Sequence, residues 1–149
     1  GDGIRTPKNF SVLTGTDLSE LVDAAGGLKE KIAKAISGGP MMGFAMYTTD
    51  TPITKTSSSI LCMSKDEVSA CEPTACINCG RCVDACPSRI IPSRLADFAE
   101  RHDEEAFLKF NGLECVECGS CSYVCPAKRQ LKQAIGSMRK TALANKKKK

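Results

Sequence analysis

Eight of the ten cysteines of this chain stand in two stretches of identical spacing, CINCGRCVDACP at 76–87 and CVECGSCSYVCP at 115–126. Thiolates at that density are soft metal ligands, and three chemistries compete for them. A disulfide framework suits a small secreted chain. Nothing here marks secretion, and thiols separated by two residues pair poorly with one another. Structural zinc takes four ligands, usually as two separated C-x-x-C pairs. Each stretch here is instead C-x-x-C-x-x-C-x-x-x-C-P. One tight loop can wrap a cubane with three thiolates while the fourth points elsewhere; in two-cluster ferredoxins that fourth cysteine serves the other cluster. The spacing therefore predicts two [4Fe–4S] clusters, one on Cys76, Cys79, Cys82 and Cys125, the other on Cys115, Cys118, Cys121 and Cys86. Gly80 and Gly119, each directly after the second cysteine, permit positive φ and close backbone approach. Pro87 and Pro126 set the chain direction after the last ligand. Clusters shared between two loops would stand in for missing core, so the metal-free domain should unfold.

The elements that must hold these loops are legible in the flanking pattern. Between the stretches, PSRLADFAERHDEEAFLKF places Leu95, Phe98, Ala99, Ala106, Phe107 and Phe110 at helical spacing. This predicts one or two helices, broken near His102, with an N-cap region at Ser93 after Pro92. Residues 1–66 have another texture, rich in Thr, Ser and Gly, with one cysteine. NFSVLTG predicts a strand ending at Gly15. TDLSELVDAAGG predicts an amphipathic helix capped by Thr16 or Asp17, with Leu18, Leu21, Val22 and Ala25 on one face and a stop at Gly26 and Gly27. KIAKAISGG, PITKT and SSSILCMS predict further strands, with Pro52 at an edge or strand start. A short helix on a small mixed sheet makes this half α+β. GGPMMG at 38–43 has neither the G-x-G-x-x-G spacing nor a following Lys-Ser/Thr, so it is not a phosphate loop. It reads as a tight turn whose Met41 and Met42 pack on a neighbour, with a partner-facing apolar surface as the alternative. Cys62 reads as a small buried strand residue, Cys71 as a free thiol or a reserve ligand, and His102, the only histidine, as a solvated surface group.

The bulk composition is that of a globular chain, with 42% hydrophobic and 26% charged residues, no Trp and few aromatics. No apolar run reaches the roughly 18 residues that span a bilayer, and GDGIRTPKNF lacks the regions of a signal peptide. A start without Met, already entering a strand, suggests a segment of a longer protein. The net charge of +4 is unevenly spread. Nine of the 21 Lys and Arg lie in residues 128–149 with no acid, so residues 1–127 hold the remaining 12 against all 17 Asp and Glu. Nothing in this pattern points to nucleic acid. The basic arm could meet an anionic membrane or an acidic partner, or be a solvated, disordered tail.

PKNFSVLTGT, ISGGPMMGFAM, TPITKTSSSIL, CINCGRCVDACP and ECVECGSCSYVCPAKRQLKQAI follow one another in this order. Together they resemble the C subunits of the Rnf family, the membrane-bound ferredoxin:NAD oxidoreductases, over almost the whole chain to about Met138. GGPMMG followed by TPITKT, and CSYVCPAKR, carry more of the likeness than the widely shared cysteine motif. The resemblance implies a soluble-ligand-binding β-grasp-like domain at 1–65, a helical ferredoxin domain with two [4Fe–4S] clusters at 66–140, and a basic disordered tail at 141–149. It also implies electron relay between a flavin and NADH part and partner redox subunits, coupled to ion translocation by the whole complex. The protein would be peripheral, on the cytoplasmic side of the cell membrane, touching it indirectly, with other Rnf subunits and ferredoxin-type carriers as partners. FMN and NADH sites would lie in a part preceding this segment, so the segment alone should not oxidise NADH. Asn78 departs from the family, which usually has a basic residue there; it is not a ligand. Acids beside the loops (Asp84, Glu114 and Glu117) should lower cluster potentials. A docking module with mainly structural clusters, a zinc-binding regulator and a stand-alone ferredoxin are the rival readings.

Overall fold

The computed structural model describes residues 1–29 and 31–148, and its contacts separate into two units, Gly1–Ala70 and the chain from Cys71 onward. In the first, the TDLSELVDAAGG helix forms as α1 (Leu18–Ala24), burying Leu18 and Val22 with Ala25 just beyond, while Leu21 is half-buried. Gly26 and Gly27 end it at φ +84° and +79°, a left-handed conformation that suits glycine. Asp17 takes the N-cap position in extended conformation, but its side chain makes no capping bond. The N–H of Leu18 donates instead to the Thr51 carbonyl at 3.0 Å.

Three strands complete the unit. β1 (Lys34–Ser37) lies between β2 (Phe44–Met46) and β3 (Ile60–Met63), antiparallel to both, with Ile36 opposite Ala45 and Ala35 opposite Cys62. The expected sheet is thus antiparallel rather than mixed among the described residues. GGPMMG is the β1–β2 turn. Gly38 sits at φ +98°, and a Cβ there would stand 3.1 Å from the Gly43 Cα. Met41 and Met42 are exposed rather than buried in this turn. NFSVLTG does not form a strand: Phe10, Val12 and Leu13 are exposed, and no partner strand runs beside them among the described residues. PITKT contributes only the single bridge between Asp17 and Pro52. The core gathers Ile4, Val22, Ala25 and Cys62, with Leu28, Ile32 and Ile60 against it. Cys62 is fully buried, as its strand context implies, and burial pushes its thiol pKa up.

Residues 64–70 belong to this unit by their bonds. Ser64 donates to the Asp2 carboxylate, and Lys34 pairs with Asp66 at 2.8 Å. The Lys34 bond is the main reason the Asp66 carboxyl is held below its usual range. A carboxyl depressed by folding adds stability above its unfolded pKa and loses it as pH falls through the folded value. Asp66→Asn should therefore lower stability at neutral pH by no more than about 1 kcal/mol, since both partners are partly exposed. Thermal melts of the two chains should converge in acid; an equal gap at both pH values would contradict this.

The second unit is helical: α2 (Arg81–Asp84), α3 (Pro92–Glu100), α4 (Glu104–Lys109), a 3₁₀ turn at Gly112–Glu114, α5 (Ser120–Tyr123) and α6 (Leu131–Lys147). The linker break falls at His102, exposed at φ +57°. Asp103 then caps α4 by accepting from the Ala106 N–H at 2.9 Å. Pro92 is itself the first residue of α3 and Ile91 its N-cap, so Ser93 lies inside the helix rather than capping it. Leu95, Ala96, Ala99, Phe107, Leu131, Ile135 and Met138 form the core, with Cys121 among them and Cys82, Cys86, Cys115 and Cys125 against it. Phe107 is wholly buried, and Gly112 is needed beside it, since a Cβ there would come within 2.3 Å of the ring. The expected disordered tail is corrected. α6 runs through it to Lys147, Ala142 is buried, and Asn145 bonds Glu104 across to α4 at 2.7 Å. Ala142, Leu143 and Ala144 are good helix formers, and lysines suit the negative end of the helix dipole. Lys149 lies outside the described residues.

Candidate metal centre

Each cysteine stretch folds to the same local shape. Directly after the second cysteine the chain turns into a one-turn helix: Gly80 at φ +77° leads into α2 and Gly119 at φ +82° into α5. Asn78 and Glu117 both sit at φ +54°, and Arg89 and Lys128, three residues past the fourth cysteines, at +52° and +54°. The turn bonds also repeat, Arg89 N to Cys86 O at 3.1 Å and Lys128 N to Cys125 O at 3.2 Å. The sequence repeat is therefore a backbone repeat, including conformations that cost a non-glycine residue free energy.

The eight cysteines face two cavities. One, of about 110 Å³, is lined by Cys76, Cys79, Cys82 and Cys125, with Asn78, Pro126, Arg129 and Leu131. The other, narrower at about 20 Å³, is lined by Cys115, Cys118, Cys121 and Cys86, with Pro87, Ile90, Glu117 and Lys132. Three thiols of each set come from one loop and the fourth from the other. The Thr74 N–H, just ahead of the first loop, donates to the Ala127 carbonyl just after the second, at 2.9 Å, and so helps hold the loops together. Among the described residues, no three Cys, His, Asp or Glu side chains close on one point as the ligands of a single ion do. Thiols spread around a cavity suit a polynuclear iron–sulfur cluster, whose irons are each held by one thiolate. Cys71 is exposed and lines neither cavity.

The thiols differ in environment. Burial pushes Cys121 up to about 11 and also raises Cys115, while a hydrogen bond to the Ser120 hydroxyl lowers Cys118. Metal competes with protons for such thiols, so a metal bound by them would displace protons. Three polar features beside the cavities were not read from sequence. Arg129 is bound by Asp97 at 2.9 Å and Glu100 at 2.8 Å, both on α3. Burial works against its charge, but those two carboxylates outweigh it and hold its pKa above the usual value. Arg139 on α6 pairs with Glu117 at 3.3 Å. The Lys132 N–H donates to the Ser122 hydroxyl at 2.9 Å, tying the start of α6 to α5. All three are tertiary pairings between residues at least ten positions apart, which spacing alone does not signal.

Residues 75–129 match the family described as a 4Fe-4S dicluster domain, and residues 1–45 match the SLBB domain. The chain is 49% identical over 136 residues to the C subunit of the proton-translocating ferredoxin:NAD(+) oxidoreductase complex of Clostridium ljungdahlii, covering 91% of this chain and 30% of the relative. It is 39% identical over 148 residues to the C subunit of the Na(+)-translocating ferredoxin:NAD(+) oxidoreductase complex of Acetobacterium woodii, covering 99% and 33%. It is 42% identical over 132 residues to the C subunit of the ion-translocating oxidoreductase complex of Methanosarcina acetivorans, covering 89% and 30%. The chain belongs to the family of Rnf C subunits. It spans about a third of the length of these relatives. Within the Rnf pattern, the dicluster match takes in all eight repeat cysteines and Arg129. The SLBB match ends inside β2, so β3, which supplies Cys62 to the core, lies beyond it. The α+β architecture is that expected of an Rnf segment of this kind: a small sheet with one helix, then a helical ferredoxin part carrying an iron–sulfur dicluster motif. Among the described residues no helix is long and apolar enough to cross a membrane.

Proposed function

We propose that this chain is the electron-relay segment of a membrane-associated ferredoxin:NAD oxidoreductase complex that couples electron transfer to ion translocation. Cys76, Cys79, Cys82 and Cys125 hold one [4Fe–4S] cluster, and Cys115, Cys118, Cys121 and Cys86 the other. The observation that carries this reading is the sorting of the eight thiols into two cavities, three from one loop and the fourth from its repeat. When bound, such clusters take up and release single electrons. The protein's share is to hold the thiolates, donate N–H groups to sulfur as Glu117 does to Cys115 at 3.4 Å, and limit water. In this reading FMN and NADH are bound by a part of the longer protein that precedes this segment. The partners are other Rnf subunits and ferredoxin-type carriers, and the protein sits peripherally on the cytoplasmic side of the membrane.

One feature favours an added docking role for the first unit. β2 is a sheet edge with Phe44 exposed, followed by fully exposed Tyr47 and preceded by exposed Met42. Such an apolar edge is suited to a partner surface. The relay is tested by anaerobic reductive titration of the chain. It should take up about two electrons, one for each cluster, and return them to an oxidised one-electron acceptor. Uptake without return would favour clusters that are only structural.

A further inference from the structure

The two thiol sets are alike, but the side chains one residue before each second cysteine are not. The first loop has the neutral Asn78 and the second the carboxylate of Glu117, on backbones of the same φ. Glu117 is tied down. Its N–H donates to the Cys115 sulfur at 3.4 Å, and its Oε1 accepts from Arg139 Nη1 at 3.3 Å. Arg139 Nε in turn donates to the Leu113 carbonyl at 3.2 Å, which holds the guanidinium over the second loop. Gly136, one turn earlier on α6, leaves room for this: a Cβ there would stand 3.1 Å from Glu117 Oε2. The paired side chains are 27% and 31% exposed, so solvent screens them only in part. Lys132 lines the same cavity. Asn78 has no charge to offset, and the arginine of the first cavity, Arg129, is bound to Asp97 and Glu100 on α3 instead.

We infer that Arg139 is a positioning and tuning residue that offsets the Glu117 charge beside the second thiol set, making the two clusters electrostatically distinct. This rests on the proposed occupancy of the two cavities. Adding an electron to a site makes it more negative, so an unpaired carboxylate nearby opposes reduction and an unpaired guanidinium favours it. Arg139→Gln should therefore shift one midpoint to a more negative potential and leave the other in place. Glu117→Gln should shift the same midpoint the opposite way. The double variant should return towards the native value, because the two charges removed have opposite sign. Arg139→Lys should stay close to native. Asn78→Glu, which places the same carboxylate in the first loop, where the cavity's arginine is already bound to Asp97 and Glu100, should lower the other midpoint.

The test is an EPR-monitored redox titration of the full chain, purified anaerobically, with iron content measured for every variant. Opposite, single-midpoint shifts in Arg139→Gln and Glu117→Gln, cancelling in the double variant, support the inference. Equal shifts of both midpoints, or none, at a native iron content of about eight per chain overturn it. If Arg139→Gln loses iron, Glu117→Gln and Asn78→Glu decide by the same criterion. A native chain without iron defeats the relay reading itself, before any variant is compared.

Discussion

Stripping the iron from the chain should melt α2 to α6 while leaving the sheet of the first unit in place. α2 and α5 have four residues each, far below the dozen or so at which an isolated helix is even marginal in water. Asn78, Arg89, Glu117 and Lys128 all hold left-handed backbone around the thiols, each at an expense of roughly 1 kcal/mol or more for a non-glycine residue. Four cysteines pack on the core from outside, so their ligation closes the core rather than decorating it. Without metal, desolvation of the half-buried Cys115 and the buried Cys121 raises both thiol pKa values and favours their protonated forms. Circular dichroism should show most of the helical signal lost on anaerobic chelation, and its recovery on reconstitution with iron and sulfide. The core of Ile4, Val22, Ala25 and Cys62 involves no repeat cysteine, so the first unit should keep its own cooperative melt. A metal-free chain with native helical signal would show that the loops are preformed and the metal structurally dispensable.

The second large effect concerns which cysteines act together. If the fourth thiol of each loop serves the other cavity, Cys125→Ser and Cys76→Ser disable the same cluster although they lie in different repeats. Each should leave about four irons, one cubane, per chain, and the double variant Cys76→Ser/Cys125→Ser should leave as much as either alone. Cys76→Ser/Cys86→Ser, both within one repeat, should lose nearly all iron because it strikes both clusters. If instead each loop holds its own cluster with its own four thiols, the two double variants exchange behaviour. The cavity linings, Cys125 with the first three thiols and Cys86 with the second three, favour the crossed outcome.

The thiol constellation was legible because metal chemistry imposes spacing on sequence directly. Three ligands on one loop, a glycine after the second and a proline after the fourth are local requirements. The break at His102 was equally local: apolar periodicity lapses in an acidic stretch, and Asp103 restarts the helix as its cap. What escaped was set by partners distant in the chain. NFSVLTG alternates like a strand, yet its Phe10, Val12 and Leu13 face out and it pairs with no strand among the described residues. β2 is three residues long with both Phe44 and Ala45 exposed, so it carries no alternation to read. The lysine-rich end looked unstructured by charge alone, while Ala142 and the Asn145–Glu104 bond fix it against the unit. Arg129 and Arg139 counted only as part of a basic arm in the sequence; their carboxylate partners lie on α3 and in the second loop, and only the fold brings them beside the cavities.

The most direct measurement is the visible spectrum, with iron and acid-labile sulfide content, of the chain purified without oxygen. Two occupied cavities require a brown protein with a broad absorption that bleaches on dithionite, and about eight irons and eight sulfides per chain, two cubanes. A colourless chain carrying zinc in place of iron would contradict the relay, and would leave membership of the Rnf family without the electron chemistry of its relatives.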